Sequence, residues 1–262
     1  MKEIRKLLRF NVDIVSHCNL NCIGCGHFSP LAKEHYLSVD NFRKDVERLH
    51  QLTGGYIERM EIMGGEPLLH PDIIPIMEIA RSNFEGEINI CTNGILVDKQ
   101  SPAFYQSCAR LDISIAITLY PIKLDWEKIE SLSLLYGFKL LRVSTKNKDR
   151  RIWYKNHRDL EGKQDCISNF SKCRWANNCI ILENGRLATC VMPFKTKYYN
   201  DYYHTSVFDI PESDSIDIYK ARDLEEIMQF LAQPISACRY CLPDADEEID
   251  WCTSKKDITE WS

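Results

Sequence analysis

Three cysteines on one short segment are the first residues whose types and spacing can do chemistry. Cys18, Cys22 and Cys25 occupy the stretch CNLNCIGC, directly after a strand-like run of residues. Three thiolates on one loop can hold three irons of a cubane cluster and leave the fourth iron open, whereas a structural zinc site takes four closed ligands. An open iron can chelate a small molecule, so this segment predicts a metal centre that also binds a ligand.

The overall cysteine content argues against a disulfide-built protein. The chain has 12 cysteines among 262 residues, and this share is below the roughly 8 to 10% that marks a small secreted scaffold. A chain of this length buries a core without covalent staples, and the segment MKEIRKLLRF lacks the apolar run of a signal peptide. We therefore expect a cytoplasmic protein whose reduced, spaced cysteines bind metal or do chemistry.

Charge and composition argue against two classes of partner. The formal net charge is −5, from 33 basic and 38 acidic residues, and the basic residues are scattered. A nucleic-acid backbone needs a concentrated basic surface, and a membrane span needs about 20 consecutive apolar residues, which no window offers. We expect a small-molecule substrate and neither a nucleic-acid nor a membrane partner.

The elements that must position the cysteine loop follow from the pattern of apolar residues. Short β-type runs alternate with amphipathic helix patterns over the first 145 residues, and this alternation predicts βαβ units and a parallel sheet. In such sheets ligands bind at the carboxyl ends of the strands, where the cysteine loop lies. The predicted strands are Leu8–Val15, Met60–Met63, Glu87–Thr92, Asp112–Thr118 and Lys139–Ser144.

The pattern changes after the charged stretch Lys146–Arg151, which predicts a domain junction. Beyond it, Asn184-Gly185 predicts a hairpin that joins the runs Cys179–Leu182 and Arg186–Cys190. The remainder, including the aromatic run Tyr198–His204, is expected to form loops. One helix pattern interrupts these loops, with an apolar face made of Leu224, Ile227, Met228 and Leu231.

Three further motifs follow the cysteine loop in the order that one family requires. Gly64-Gly65-Glu66-Pro67 follows the second predicted strand, Thr92-Asn93-Gly94 follows the third, and Thr118 ends the fourth. Each is weak alone, because each is also an ordinary turn or strand end. Together with the cysteine loop they resemble the radical S-adenosylmethionine (SAM) enzymes. The resemblance implies a [4Fe-4S] cluster on Cys18, Cys22 and Cys25 that binds SAM and, when reduced, cleaves it to methionine and a 5′-deoxyadenosyl radical.

The same resemblance assigns the contacts to SAM. Gly64 and Gly65 would let the backbone approach the methionyl part closely, and Glu66 would accept a hydrogen bond from its ammonium group. Asn93 and Thr118 would contact sulfonium or ribose oxygens, and Val143 would offer backbone contacts to adenine. No residue that moves a proton or hydrogen atom at the substrate can be named from the sequence.

Two features depart from the family pattern. The residue before the third cysteine is usually aromatic and is Gly24 here, so that contact with adenine would be made by backbone or by a neighbour such as Phe28. Five strands are predicted where the common form has six. The resemblance therefore implies an α/β fold in which residues 1–148 form a partial, shortened parallel β/α barrel.

A second set of cysteines lies in residues 149–262 and resembles the Twitch half of the SPASM/Twitch extension of the family. The spacing of Cys173, Gly185 and Cys190, followed by the pair Cys238 and Cys241, implies an auxiliary [4Fe-4S] cluster with four ligands. A closed zinc site is the alternative, and Cys166 or Cys179 are alternatives to Cys173 as the first ligand. The resemblance thus implies a small cysteine-rich domain with a β-hairpin and a helix.

A closed cluster cannot readily bind substrate, so its expected role is to accept an electron. The length, strand count and cysteine layout resemble a small aminocyclitol dehydrogenase of this family. The implied activity is the oxidation of a hydroxyl group on a sugar, sugar nucleotide or aminocyclitol, with flavodoxin or ferredoxin as the reductant. The alternatives are radical epimerisation of a carbohydrate, modification of a ribosomal peptide, and a non-catalytic zinc or iron-sulfur module.

The remaining cysteines and two histidines have weaker claims. Cys108 lies on an apolar helix stripe and is expected in the core. Cys91, Cys166, Cys179 and Cys252 are unassigned and are expected to be buried, although any one of them could return a hydrogen atom to a substrate radical. His27, two residues beyond the cysteine loop, has a better claim to the site than His70, which precedes a predicted helix.

Overall fold

A computed structural model describes residues 2–143, 152–155, 157–245 and 247–262. The predicted junction Lys146–Arg151 and the predicted strand end Ser144 lie outside the described residues. No helix within those ranges is long and apolar enough to cross a membrane.

The first part of the chain alternates strands and helices, as the apolar pattern predicts. Ser38 begins the first helix by accepting a hydrogen bond from Asn41 N, and Asp112 takes a left-handed conformation that delays the fourth strand to Ser114. The elements are β1 (Arg9–Val15), α1 (Val39–Thr53), β2 (Tyr56–Gly64), α2 (Ile73–Asn83), β3 (Glu85–Thr92), α3 (Pro102–Arg110), β4 (Ser114–Thr118), α4 (Trp126–Tyr136) and β5 (Leu140–Val143).

The second part contains short strands and three α-helices in the described residues. Its elements are β6 (Ile152–Lys155), α5 (Cys166–Lys172), β7 (Ile181–Glu183), β8 (Arg186–Ala188), α6 (Met192–Tyr203), β9 (Ile216–Asp217), α7 (Leu224–Leu231) and β10 (Glu247–Asp250). The hairpin β7–β8 and the helix α7 confirm two predictions.

The prediction of a loop over Tyr198–His204 is wrong, because residues up to Tyr203 belong to α6. This helix buries Met192, Lys195, Thr196 and Tyr199. A lysine and a threonine on the buried face interrupt the apolar stripe by which a helix is recognised in sequence. Ion pairs with Asp13 and Glu183 offset the cost of burying the Lys195 ammonium group.

One mixed sheet runs through both parts of the chain, in the order β5-β4-β3-β2-β1-β7-β8-β9. Strands β1 to β5 are parallel to one another, and β7 is parallel to β1. The five predicted parallel strands are confirmed. The hairpin of the second part extends the same sheet beyond β1, and β6 pairs separately with β10.

Two cores hold the layers together. The aliphatic face of the sheet packs against the helices, and the strict alternation of β4 places Ile115 and Ile117 there with no exposed surface. A second core collects Phe28, Tyr199, Phe208 and Trp261 around the cysteine-rich part. The aromatic rings of this second core meet edge-on or stacked.

The loops that follow β1 and β2 are in direct backbone contact. Gly65 N donates to Val15 O at 2.8 Å, and Glu66 N donates to His17 O at 3.0 Å. A Cβ atom on Gly65 would lie 1.9 Å from His17 O, and one on Gly64 would lie 2.2 Å from Val15 O. Only residues without a side chain allow the two loops to meet.

We predict that Gly65→Ala lowers the free energy of unfolding by about 3 kcal/mol, because the new methyl group must push two loops apart. Urea unfolding monitored by circular dichroism measures the change. Gly26→Ala is the matched control, since an added Cβ meets nothing within 4 Å there, and we expect a change below about 0.5 kcal/mol. Equal effects of the two substitutions would contradict the interpretation.

Candidate functional site

The residues that the motifs single out lie along one edge of the parallel sheet. The cysteine loop follows β1, Gly64 ends β2, Asn93 follows β3, and Thr118 ends β4. Thr118 and Val143 are register partners, and Leu119 N donates to Val143 O at 2.9 Å. The structure therefore brings motifs that are far apart in sequence to neighbouring strand ends.

Asn93 joins the third motif to the cysteine loop. Its side-chain Nδ2 donates to Asn19 Oδ1 at 2.7 Å and lies 3.6 Å from Cys18 Sγ. Its Oδ1 accepts from Ile95 N at 3.0 Å, which orients the amide. Asn93 is 5% exposed, so this contact belongs to the interior of the site.

The three thiols of the cysteine loop are close enough to influence one another. Burial, together with the smaller effects of the neighbouring charges of Cys25 and Cys18, raises the pKa of Cys22 to about 12. Burial also raises the pKa values of Cys18 and Cys25. A cationic group that binds here must displace the thiol protons, as metal centres with thiolate ligands do.

Tyr120 is a residue of this site that sequence reasoning missed. Burial raises its pKa well above the ordinary value, and Cys22, Cys25, Cys18 and Glu66 contribute in the same direction. Its hydroxyl therefore lies near enough to the three cysteines and the glutamate for their charges to act on it. Its position two residues after the end of β4 was the available signal.

Glu66 is fully buried and joins the second motif to the third. Its Oε1 accepts from Leu68 N at 3.1 Å and from Thr92 Oγ1 at 2.6 Å, while its Oε2 accepts from Asn93 N at 3.0 Å. Burial raises the pKa of Glu66 to about 7, although these three donors favour the ionised form. The buried carboxylate therefore links the loop after β2 to the loop after β3.

The C-terminal segment, residues 251–261, packs over the cysteine loop. Ile23 N donates to Cys252 O at 2.9 Å, Ser254 N donates to Asn21 O at 2.7 Å, and Trp261 Nε1 donates to Cys25 O at 3.0 Å. These contacts explain the glycine before the third cysteine. Gly24 has φ +57, and a Cβ there would lie 3.1 Å from Glu260 O.

Phe28 cannot present its ring to a ligand, so its suggested contact with adenine is wrong. The side chain has no exposed surface, and its ring stacks on Trp261 with 5.9 Å between centroids. The aromatic residue was predicted to face the site from its sequence position alone. Its burial follows from the C-terminal segment, which supplies an apolar partner.

The second cysteine set also comes together. Burial raises the pKa of Cys190 well above its usual value, and the charges of Cys241, Cys238 and Cys173 act in the same direction. Asn169 Nδ2 donates to Cys238 O at 2.9 Å and to Cys241 O at 2.6 Å, which orients that pair. Cys241, Cys238 and Cys173 therefore lie close enough to Cys190 for their charges to contribute to its raised pKa.

The two alternative first ligands have different surroundings. The charge of Cys166 contributes to the raised pKa of Cys238. The Cys166 thiol, however, donates to Ser236 O at 3.7 Å. Burial raises the pKa of Cys179 to about 12, and the largest contribution from a charge comes from Glu61 of the sheet, followed by Arg9. Among the three candidates for the first ligand, Cys173 is the one whose charge contributes to the raised pKa values of both Cys190 and Cys238.

The thiols of both cysteine sets are available to a metal centre. All 12 cysteines are free thiols, and in the described ranges no three His, Cys, Asp or Glu side chains converge on one ion. A zinc ion needs each sulfur about 2.3 Å away. A four-iron cluster binds each cysteine on a different iron, so its ligands stand further apart.

A buried charge network connects the cysteine loop with α6. Asp13 Oδ2 lies 2.9 Å from His27 Nδ1 and 2.9 Å from Lys195 Nζ, and Lys195 Nζ lies 2.5 Å from Glu183 Oε2. Burial would raise the pKa of Asp13, but the Lys195 ammonium and the His27 ring hold it well below its usual range. His27 thus lies beside the predicted site, fixed by a carboxylate of β1.

Glu66 makes the stability of the protein depend on pH. Its pKa is about 7 when folded and returns to the ordinary 4.5 on unfolding, so the unfolded chain binds fewer protons between these values. The free energy of unfolding should therefore fall by about 3 kcal/mol as pH rises from 4.5 to 7. Urea unfolding at several pH values should show that Glu66→Gln removes this part of the dependence.

Exposed Glu225 provides the control for that measurement. Glu225→Gln removes a carboxylate on the surface of α7, and we expect the pH dependence of the parent protein to be retained. A Glu66→Gln profile that parallels the parent profile would contradict the role given to Glu66.

Comparison with known proteins finds similarity in the first part of the chain. Residues 12–131 match the family described as the radical SAM superfamily. The GTP 3′,8-cyclase of Chlorobaculum tepidum is 32% identical over 124 residues, which are 47% of this chain and 35% of that protein. The probable GTP 3′,8-cyclase of Methanococcus maripaludis strain C7 is 35% identical over 97 residues, which are 36% of this chain and 31% of that protein.

The chain thus spans about a third of the length of the curated relatives it matches. Among solved structures, the crystal structure of BtrN in complex with AdoMet and 2-DOIA has a TM-score of 0.53 at 16% identity. That similarity covers 92% of this chain and 94% of BtrN. It shows a common fold through both parts of the chain.

Proposed function

We propose that the chain, whose residues 12–131 match the radical SAM superfamily, cleaves SAM and oxidises a hydroxyl group of a sugar, sugar nucleotide or aminocyclitol. The observation that carries this proposal is the continuous edge formed by the cysteine loop, Gly64, Asn93, Thr118 and Val143. A ligand at that edge would touch all five strand ends of the parallel sheet.

Cys18, Cys22 and Cys25 would hold the cluster that binds SAM. When bound, the cluster and SAM would supply the radical chemistry that removes a hydrogen atom from a carbinol carbon, and the second cluster would supply an acceptor for the electron that the substrate loses together with a proton. The chain's own residues orient the ligand and exclude water. Residues 251–261 contribute to that exclusion, since they cover the cysteine loop.

The SAM contacts are proposed from the same edge. Gly64 and Gly65 would let the methionyl part of SAM approach the backbone. The Glu66 carboxylate would accept a hydrogen bond from the ammonium group of SAM, because its donors Leu68, Thr92 and Asn93 do not use all of its lone pairs. The remaining contacts would come from Asn93, Thr118 and the backbone of Val143.

Residues 149–262 are proposed as a Twitch-like domain with one auxiliary cluster. Cys173, Cys190, Cys238 and Cys241 would be its ligands, since their charges act on one another. Four protein ligands leave no iron open for substrate, so this cluster would accept the electron. Its hairpin extends the sheet of the first part, which would hold the two cysteine sets in one frame.

Cys91 favours radical epimerisation as a second candidate function. It is half-buried on β3, two residues before Asn93, on the face opposite Ile90. Its thiol could give a hydrogen atom to the substrate radical, and an electron from the auxiliary cluster with a proton would restore it. The two functions differ in product, because oxidation yields a ketone and epimerisation in D₂O yields a C-deuterated epimer.

We predict that anaerobically reconstituted protein contains about eight irons with matching sulfide. With SAM and either dithionite or reduced flavodoxin it should release 5′-deoxyadenosine, measured by liquid chromatography. Zinc without sulfide in anaerobically purified protein would instead indicate a non-catalytic binding module. A reduced, iron-loaded protein that leaves SAM intact would overturn the proposed function.

Cys190→Ala should lower the iron content by about four atoms, because one ligand of the auxiliary cluster is lost. Release of 5′-deoxyadenosine should persist at least in part, since the three-cysteine loop is intact. Cys108→Ala, in the apolar core of the first part, is the control and should leave iron unchanged. Loss of iron from both variants would show that Cys190 acts only in folding.

A further inference from the structure

Trp251 has a fixed place beside the cysteine loop. The strand β10, which pairs with β6, ends directly before it. Directly after it, Cys252 O accepts from Ile23 N at 2.9 Å, and Thr253 forms an antiparallel bridge with Cys22. The backbone is therefore held on both sides of Trp251, and this residue is anchored next to the segment that carries the three cysteines.

The indole N–H of Trp251 is a buried donor without an acceptor. Its Nε1 is shielded from solvent and has no hydrogen-bond partner among the described residues. An indole nitrogen can only donate, and a buried donor that is left unpaired destabilises the fold. The other indole of the C-terminal segment is satisfied, since Trp261 Nε1 donates to Cys25 O at 3.0 Å. The unpaired N–H therefore indicates an acceptor that joins this site later.

Two observations associate the Trp251 indole with the sulfur of Cys22. Its ring centroid lies 6.4 Å from that of Tyr120, whose hydroxyl is near enough to the three cysteines for their charges to act on it. Burial is the largest effect on the pKa of Cys22 and raises it, whereas donation from the Trp251 side chain to the thiolate lowers it. A neutral thiol is a weak acceptor. The indole N–H thus suits the ionised sulfur, which is the form that binds metal.

The other two sulfurs of the cysteine loop have donors from the first part of the chain. Leu20 N donates to Cys18 Sγ at 3.4 Å. Burial raises the pKa of Cys25, and the backbone and hydroxyl of Ser29 oppose this effect by donating to its thiolate. The indole N–H gives the remaining sulfur a corresponding donor, and this donor comes from the second part of the chain.

We infer that the Trp251 indole donates a hydrogen bond to the Cys22 sulfur when a cluster is bound, and that this bond makes the cluster easier to reduce. The inference rests on the part of the proposed function that puts a cluster on the cysteine loop. Hydrogen bonds to the sulfurs help to set the reduction potential of an iron-sulfur cluster. The positive end of an N–H dipole stabilises the reduced cluster more than the oxidised one, because reduction adds a negative charge. The C-terminal segment would thereby adjust how readily flavodoxin or ferredoxin supplies the electron for SAM cleavage.

The reduction potential of the cluster on the cysteine loop tests this bond. The starting protein is Cys190→Ala, which is expected to keep that cluster alone, and it is titrated anaerobically with dithionite and followed by electron paramagnetic resonance. Adding Trp251→Phe keeps an aromatic ring and removes the N–H. We expect the ratio of reduced to oxidised cluster at a fixed potential to fall about threefold, which is about 28 mV at 59 mV per tenfold for one electron.

Trp126→Phe is the matched control for this titration. Trp126 is also half-buried, but it lies on α4, where its ring contacts the guanidinium of Arg142. We expect this substitution to leave the ratio of reduced to oxidised cluster unchanged. An unchanged or higher ratio in the Trp251→Phe protein, or an equal fall in both proteins, would overturn the inference.

Pulsed electron paramagnetic resonance gives a second measurement that needs no substitution at Trp251. In Cys190→Ala protein made with ¹⁵N-labelled tryptophan, the hydrogen bond should couple one indole nitrogen to the reduced cluster. Absence of this coupling would contradict the bond, and a coupling that remains in the Trp251→Phe protein would assign it elsewhere. Iron content and circular dichroism identify a variant that fails to fold, and Cys238→Ala replaces Cys190→Ala if that protein does.

The outcomes separate the inference from the proposed function. A cluster that forms on the cysteine loop with the same potential in the Trp251→Phe protein refutes only the role of Trp251. A shifted potential in a protein that leaves SAM intact refutes only the proposed reaction. Folded Cys190→Ala protein that binds no iron refutes both, since no cluster then forms on the cysteine loop.

Discussion

The backbone contact between the loops after β1 and β2 is the constraint on which the site depends. Gly64 and Gly65 lack side chains, so the second loop can donate hydrogen bonds to Val15 O and His17 O. Glu66 is thereby placed to accept from Thr92 and Asn93 of the third loop. Asn93 in turn reaches back to Asn19 and Cys18. The loops after β1, β2 and β3 therefore contact one another, and these contacts fix the position of the cysteine loop.

The second part of the chain contacts β1 and the cysteine loop from two sides. Residues 251–261 bind the backbone of the cysteine loop, and Trp261 both stacks on Phe28 and donates to Cys25 O. On the other side, β7 pairs with β1 while Lys195 of α6 bridges Asp13 and Glu183. Buried ion pairs stabilise a fold little, since desolvation offsets much of their attraction. Their value here is geometric, because they fix α6 against the strand that leads into the cysteine loop.

Buried charges and unpartnered polar atoms lie on the face of the sheet that carries Asp13. Arg59 forms an ion pair with Glu61, although its Nε has no hydrogen-bond partner among the described residues, and Asp13 and Asn89 each keep one acceptor oxygen without a donor. The similarity to GTP 3′,8-cyclases covers about a third of those proteins.

The sequence alone determined the five parallel strands, the helices between them and the order of the motifs at the strand ends. These features depend on local periodicity and on spacing within short segments, which a sequence displays directly. It did not show that residues 251–261 cover Gly24, that Phe28 is buried, that Tyr120 lies among the cysteines, or that the hairpin β7–β8 extends the sheet beyond β1. Nor did it show α6, whose buried Lys195 breaks the apolar stripe. Each of these depends on contacts between residues far apart in the chain, and only the tertiary structure decides which distant groups satisfy one another's hydrogen bonds and charges.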